Sequence, residues 1–363
     1  MIVRLATSDD DAALTALLES MPMPGSIRLA FGCRPSFFQA LRVEGDSPVV
    51  CVAEARGQLV AVGAVTFRKV YLNGRVATRR YLSALRVAPQ ARGSAALAKG
   101  FALLRTTLAS HPGDLTLTSI LADNTPALRV LTGARAALPA YEALGGCVTR
   151  VVCTARAAKP NPPTGVQLAH GGDARELAGF LATHGPARNG FPVCLPQDLD
   201  GRTDSAFPGL SAADFLVARD GEGILGVMGC WDVRRFRQAL VTGYAPWLRW
   251  ARPWLNFGAR CCARPLLPAP GAVLGLAFAT LTLVRQGDLR VFRSLLESAL
   301  AWSRRRGLGH FVMALADHDP LNAGFKGLPQ REIHSRIFRV HFEDPSTQTR
   351  PDGRTPHFEG AML

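Results

Sequence analysis

The sequence predicts a mixed α/β protein built from two tandem copies of one unit. Each copy is a mostly antiparallel sheet with a central parallel crossover, flanked by helices. Three observations lead there. "VCVAEARGQLVAVGAV" and "FLVARDGEGILGVMGC" both read strand, glycine turn, strand, with Gly63 and Gly229 at similar places. "LTSILADNTPAL" and "FVMALADHDPL" both run from an apolar strand into Leu-Ala-Asp, then Asn124 or His318, then a proline. An amphipathic helix precedes each of these strands, with Leu97, Phe101, Leu104 and Leu108 on one face of the first and Leu289, Phe292, Leu296 and Ala299 on one face of the second.

The elements follow in order. "MIVRLATSDDDAALTALL" reads as a strand, a cap at Ser8 or Asp9, and a helix; its acids stand where a secretory signal needs an apolar core. After the hairpin, "LRVAPQARGSAALAKGF" (85–101) is a strand that stops at Pro89, makes an Arg-Gly turn and starts a helix with no acid in its first turn. "ARAAKPNPPTG", Ala155 to Gly165, is a proline-rich linker. The expected division is therefore a first unit over 1–155, a linker over 156–165, a second unit over 166–343 and a frayed polar tail over 344–363.

Composition narrows the classes. The chain is 48% hydrophobic and 19% charged, which is globular. The net charge of +14 is spread along the chain, so no basic tail of the nucleic-acid-gripping kind is present. Only four of the 42 basic residues are lysines, which fits a GC-rich codon bias as well as it fits a function. A phosphate-bearing ligand gains from such a field either way. The eight cysteines form no C-x-x-C pair and several lie in apolar runs, so they read as buried free thiols in a reducing, cytoplasmic compartment, with no metal site. Pro265 to Val284 is uncharged, but its three prolines argue against a membrane span.

A helix start leaves several N–H groups unpaired and carries about half a positive charge. Gly93, Ser94 and Ala95 are small enough to let a ligand approach that backbone, and Arg92 adds a full charge. Close packing of the helix on a strand is the competing explanation of the small residues. "V-x-P-x-x-R-G" after a strand (Val87, Pro89, Arg92, Gly93) resembles the acyl-CoA-binding segment of the GNAT acyltransferase superfamily. The family's next two glycines fall at Ala95 and Leu97. "ADNTPALRVL" is similar to the family segment whose asparagine approaches the pantetheine arm, here Asn124, and "AYEALGG" is similar to its terminal tyrosine motif, here Tyr141. The resemblance implies an acyl-CoA, such as acetyl-CoA, at Arg92, Gly93, Ser94 and Ala95. It implies backbone donors around Leu85, Arg86 and Val87 for the thioester carbonyl, and Tyr141 as the proton donor to the leaving thiolate. A surface-packed tyrosine is the alternative for Tyr141. Members often carry a glutamate on the strand before the turn; "TRRYLSALRV" has none, and Glu54 is the nearest acidic candidate for a base, or a solvated hairpin residue.

The second copy reads "LTLVRQGDLRVF" at the matching turn, with Asp288 at the helix start, where it caps the helix and repels phosphate. It is expected to serve as scaffold or as a wall of the acceptor pocket. The segment 24–41, with Phe31, Phe37 and Phe38, occupies the region where the superfamily builds that pocket; core packing explains these aromatics equally. In 244–264, Trp247, Trp250 and Trp254 share one face of a helix. Packing over the protein's own sheet, arginines outward, is the expectation; a membrane-surface helix or a stacking platform for nucleic acid is the alternative. The resulting expectation is direct N-acyl transfer from an acyl-CoA to a small-molecule or peptide amine, with no nucleic-acid partner and no stable membrane insertion. The rivals are a non-catalytic scaffold and a peripheral binder using the Trp/Arg segment.

Overall fold

The computed structural model describes residues 1–133, 135, 137–156, 160–261, 266–342 and 348–362. Residues 157–159 of the expected linker, 262–264 of the Trp/Arg segment and 344–347 and 363 of the expected tail lie outside the described residues.

The first copy runs β1 (Ile2–Leu5), α1 (Asp11–Glu19), β2 (Ile27–Gly32), α2 (Phe37–Leu41), β3 (Asp46–Ala55), β4 (Gln58–Leu72), β5 (Arg75–Val87), α3 (Ala96–Ala109), β6 (Leu115–Leu121), α4 (Thr125–Leu131) and β7 (Ala140–Cys153). The second runs β8 (Gln167–His170), α5 (Ala174–His184), β9 (Phe215–Asp220), β10 (Gly223–Trp231), β11 (Gln238–Tyr244), α6 (Pro246–Cys261), β12 (Leu276–Val284), α7 (Leu289–Arg305), β13 (His310–Ala316) and β14 (Gln330–His341). Local chemistry sets the boundaries. The Asn73-Gly74 turn, both residues at positive φ, closes β4 onto β5 as a tight hairpin. Asp173 caps α5 through the N–H groups of Arg175 and Glu176.

Among the described residues, twelve strands form one sheet in the order β1-β3-β4-β5-β6-β14-β7-β13-β12-β10-β9-β8. The two copies exchange their last strands. β14 pairs with β6 of the first copy, and β7 pairs with β13 of the second. The two exchanged strands then pair with each other from Gln330↔Val152 to His341↔Ala140. A second, two-stranded sheet of β2 and β11 also joins the copies.

Each copy opens its sheet at the same place. β5 runs parallel to β6 from Arg79↔Leu115 to Leu82↔Thr118 and then departs from it. β12 leaves β13 after Phe278↔Val312. Just beyond each departure stands a residue at positive φ, Ala84 or Leu281. The strand paired with it shifts register there, between Val62 and Ala64 or between Val227 and Gly229. These are β-bulges, which re-aim a strand and end its pairing.

The core lies on both faces of the sheet. Phe101, Leu104 and Leu108 of α3 pack on Val65, Leu82, Ile120 and Phe338. Leu295, Leu296 and Ala299 of α7 pack on Ala277, Phe311 and Met313. Two expectations fail here. Residues 348–362 do not fray: His357, Glu359, Ala361 and Met362 are buried, and the Glu359 carboxylate accepts from Leu281 N at 2.9 Å and contacts His357 Nε2 at 2.8 Å. Polar composition suggested solvent, but the acid finds a histidine and a backbone donor in the interior. The tryptophans of α6 do not pack over the sheet either. They face outward, while Leu248, Arg252 and Asn256 hold the helix to the body.

Candidate functional site

The Arg-Gly turn begins with a 3-10 turn at Pro89–Ala91. Gly93 has φ of 76°, and nothing lies within 4 Å of where a Cβ would stand. That conformation favours glycine and leaves the backbone approachable. Ser94 Oγ donates to Ala91 O at 2.7 Å and accepts from Ala96 N at 3.2 Å, so one of the helix-start amides is satisfied locally. Among the described residues, the amides of Gly93, Ala95, Leu97 and Ala98 have no hydrogen-bond acceptor. No acid stands in the first turn of α3. Arg92, Gly93, Ser94 and Ala95 are all exposed. The side chain of Leu97 does not plug the turn; it is half-buried against the α3 core.

The strand before the turn is open on one side. Beyond Leu82, β5 has no pairing with β6, so Leu85, Arg86 and Val87 keep β4 as partner on one edge alone. Arg86 folds back, its Nη1 donating to Leu85 O at 2.9 Å. Asn124 caps α4, its side-chain oxygen accepting from Ala127 N at 3.3 Å, and it remains exposed. Tyr141 sits on β7 with its ring edge-on to Phe338 at 6.0 Å. It belongs to the same apolar cluster as Leu97, Ala127 and Leu128, which puts it on the α3–α4 face with the Arg92 turn. Burial pushes the Tyr141 hydroxyl well above the usual phenol range.

Glu54 does not join this group. It is on β3, two strands from β5, and its Oε2 lies 3.3 Å from Arg4 Nη2, while Arg4 Nη1 binds Asp10 at 2.7 Å. Its carboxylate is tied into an Arg4–Asp10 cluster at the sheet edge.

The neighbours in structure decide the architecture. A GCN5-related N-acetyltransferase from Sphaerobacter thermophilus is similar over 96% of this chain and 98% of its own, with 13% identity and a TM-score of 0.57. A tandem GNAT protein from the clavulanic acid biosynthesis pathway is similar over 94% of this chain and 98% of its own, with 11% identity and a TM-score of 0.54. The chain has the tandem GNAT fold. An N-myristoyltransferase from Saccharomyces cerevisiae, with bound myristoyl-CoA, is similar over 97% of this chain and 87% of its own, with 10% identity and a TM-score of 0.58. No family model and no curated protein matches the sequence.

Within this GNAT pair the second copy is closed where the first is open. Asp288 accepts from Arg290 N and Val291 N at 2.8 and 3.1 Å, capping α7 with a carboxylate. Glu359 occupies the amide of the second copy's bulge residue, Leu281. The linker lies over the start of α7, where Ser294 Oγ donates to Asn161 O at 3.0 Å beside a cleft lined by Pro162, Pro163 and Arg290. Asp288→Ala is expected to lower stability by about 1 kcal/mol through the lost cap, read as a shift in denaturation midpoint.

Sequence reading missed a charged layer on the other face of the first copy's sheet. Arg68 and Arg79 face each other across the β4–β5 hairpin, 3 and 6% exposed. Arg79 Nη2 donates to Glu44 O at 3.2 Å, and Arg237 of the second copy pairs with the Glu44 carboxylate at 3.0 Å. Burial pushes the Glu44 carboxyl up and lowers Arg79 to about 10. One signal was available: Arg68 and Arg79 are equidistant from Asn73-Gly74, so the hairpin had to pair them.

Proposed function

We propose that the first copy transfers an acetyl or other acyl group from an acyl-CoA to an amine of a small molecule or peptide. One observation carries the reading. The helix start and bulge of the second copy are filled by the chain's own carboxylates, Asp288 and Glu359, and the matching helix start of the first copy holds none. Beside an open Gly93, amides without an acceptor among the described residues and the exposed Arg92 would form a cradle for a diphosphate.

The residues divide the work. Arg92, Gly93, Ser94 and Ala95 would hold the diphosphate, and Asn124 and the apolar surface of Leu97, Ala127 and Leu128 would flank the arm that follows it. The thioester supplies an acyl group activated toward an amine, with a thiolate as leaving group. The unpaired edge of β5 at Leu85 to Val87 offers backbone donors to the carbonyl as negative charge develops there. Tyr141, kept protonated by burial, gives its proton to the sulfur. With Glu54 bound to Arg4, the amine's proton leaves through water or arrives already shed.

The test is the full chain with acetyl-CoA and a panel of amines, following free thiol. Thiol release above the hydrolysis background is expected with at least one amine. Tyr141→Phe should lower the rate by about 100-fold or more and leave CoA binding intact. CoA binding without thiol release for any amine or acyl chain would leave the fold as a binding scaffold.

A further inference from the structure

Helix α6 turns its most apolar face away from the protein. Trp247, Trp250, Trp254 and Phe257 are 63, 80, 79 and 68% exposed. Spacings of three, four and three place them along one face. The opposite face is pinned. Leu248 is buried with Val241 and Tyr244, and Arg252 Nε and Asn256 Nδ2 both donate to Leu267 O at 3.0 Å. Asn256 Oδ1 accepts from Leu267 N at 2.8 Å. The outward aim of the tryptophans is therefore built into the fold. A contiguous aromatic patch of this kind marks an interaction site.

Charge selects the occupant. From Val233 to Gly287 the sequence holds eight arginines and no acid. Arg249 and Arg260 are exposed on α6, with no acidic partner among the described residues. A second copy of this face would bring arginine against arginine, because a two-fold contact presents the same surface twice. A single strand of nucleic acid needs a groove that tracks its backbone, and a convex helix provides none. An anionic bilayer satisfies both features: tryptophan rings settle at headgroup depth, and arginines reach the phosphates from the side. Among the described residues no helix is long and apolar enough to cross a membrane, so α6 would lie along the surface.

We propose that α6 docks the protein on anionic lipid surfaces, with Trp247, Trp250, Trp254 and Phe257 in the headgroup region and Arg249 and Arg260 on lipid phosphates. β11 leads directly into α6 and pairs with β2, so the docked helix holds the first copy at the same surface. The inference is independent of acyl transfer.

The experiment is co-sedimentation of the full chain with vesicles of phosphatidylcholine, with and without phosphatidylglycerol, together with tryptophan fluorescence. Binding to the anionic vesicles with a blue shift is expected, weakening with salt. Trp250→Ala/Trp254→Ala should reduce partitioning by about tenfold or more and leave the melting curve and its response to CoA unchanged. Arg249→Glu/Arg260→Glu should weaken binding to the anionic vesicles alone. Equal affinity for both vesicle types, or none, overturns the proposal. So does a concentration-dependent dimer that the tryptophan variant abolishes, or tighter binding to single-stranded DNA than to vesicles.

Discussion

CoA is expected to raise the melting temperature of the wild-type chain, and Arg92→Glu is expected to abolish that shift. A ligand present at a hundredfold excess over its Kd stabilises the folded state by about 2.7 kcal/mol, which moves Tm by several degrees. Arg92 is exposed at the entrance to the open amides of Gly93, Ala95, Leu97 and Ala98. Reversing its charge puts a carboxylate where the diphosphate would sit, and like charges at close range exclude each other. Because the Arg92 side chain makes no hydrogen bond or ion pair among the described residues and is exposed, the melting temperature without ligand should stay put. Arg92→Lys should keep part of the response, since it retains the charge and loses the planar fork. Differential scanning fluorimetry across a CoA titration decides it. An unchanged response in the glutamate variant would move the binding site elsewhere.

Arg237→Ala is expected to be the most destabilising single change at the contact between the copies, by about 3–5 kcal/mol. Arg237 and Glu44 are paired at 3.0 Å with side chains 18 and 5% exposed. The same guanidinium donates to Ala361 O at 2.6 Å and lies 5.7 Å from the centre of the Phe31 ring. One substitution therefore strands a buried carboxylate and loosens the packed chain end. The second oxygen of Glu44 already lacks a partner. Denaturant unfolding should show a lower midpoint with an unchanged slope. Glu44→Gln/Arg237→Ala should recover part of the loss, because no charge is left buried. The pH dependence has a definite sign. Burial raises the Glu44 carboxyl in the folded state, so the native protein binds more protons than the unfolded chain above the ordinary carboxylate pKa. Stability from this group falls as pH rises from about 4.3 toward the folded value. In Arg237→Ala that folded value climbs further, so the variant's deficit should be larger at neutral pH than at pH near 5.

The duplication, the turn and the capped second copy were legible because each rests on near-neighbour chemistry. Asp288 beside Arg290 and Val291 is a cap at any tertiary setting, and a glycine, Gly93 or Gly287, marks the left-handed turn in each copy. Features that depend on distant partners were not legible. Alternation along "REIHSRIFRV" shows a strand, but nothing in it says that the strand lies between β6 and β7. The spacing of Trp247, Trp250 and Trp254 fixes that they share a face and leaves open which way the face looks; Asn256 and Leu267 settle that. "DPSTQTRPDGRTPHFEGAML" reads as a polar, Pro/Gly-rich end until His357 and Leu281 are seen to meet Glu359. Glu54 stood out as the acid at the end of the neighbouring strand, while Glu44, in contact with Arg79, drew no notice because its partner Arg237 is almost two hundred residues away.

The exchanged strands have a consequence for what the protein can lose. Cut between Thr154 and Gln167, each piece would keep a sheet with an inner slot missing, and each slot would expose a row of hunger for hydrogen bonds that water alone must feed. The second half, whose helix start and bulge are filled by Asp288 and Glu359, thus lends a strand that the first half cannot do without. Redundancy of shape has turned into dependence.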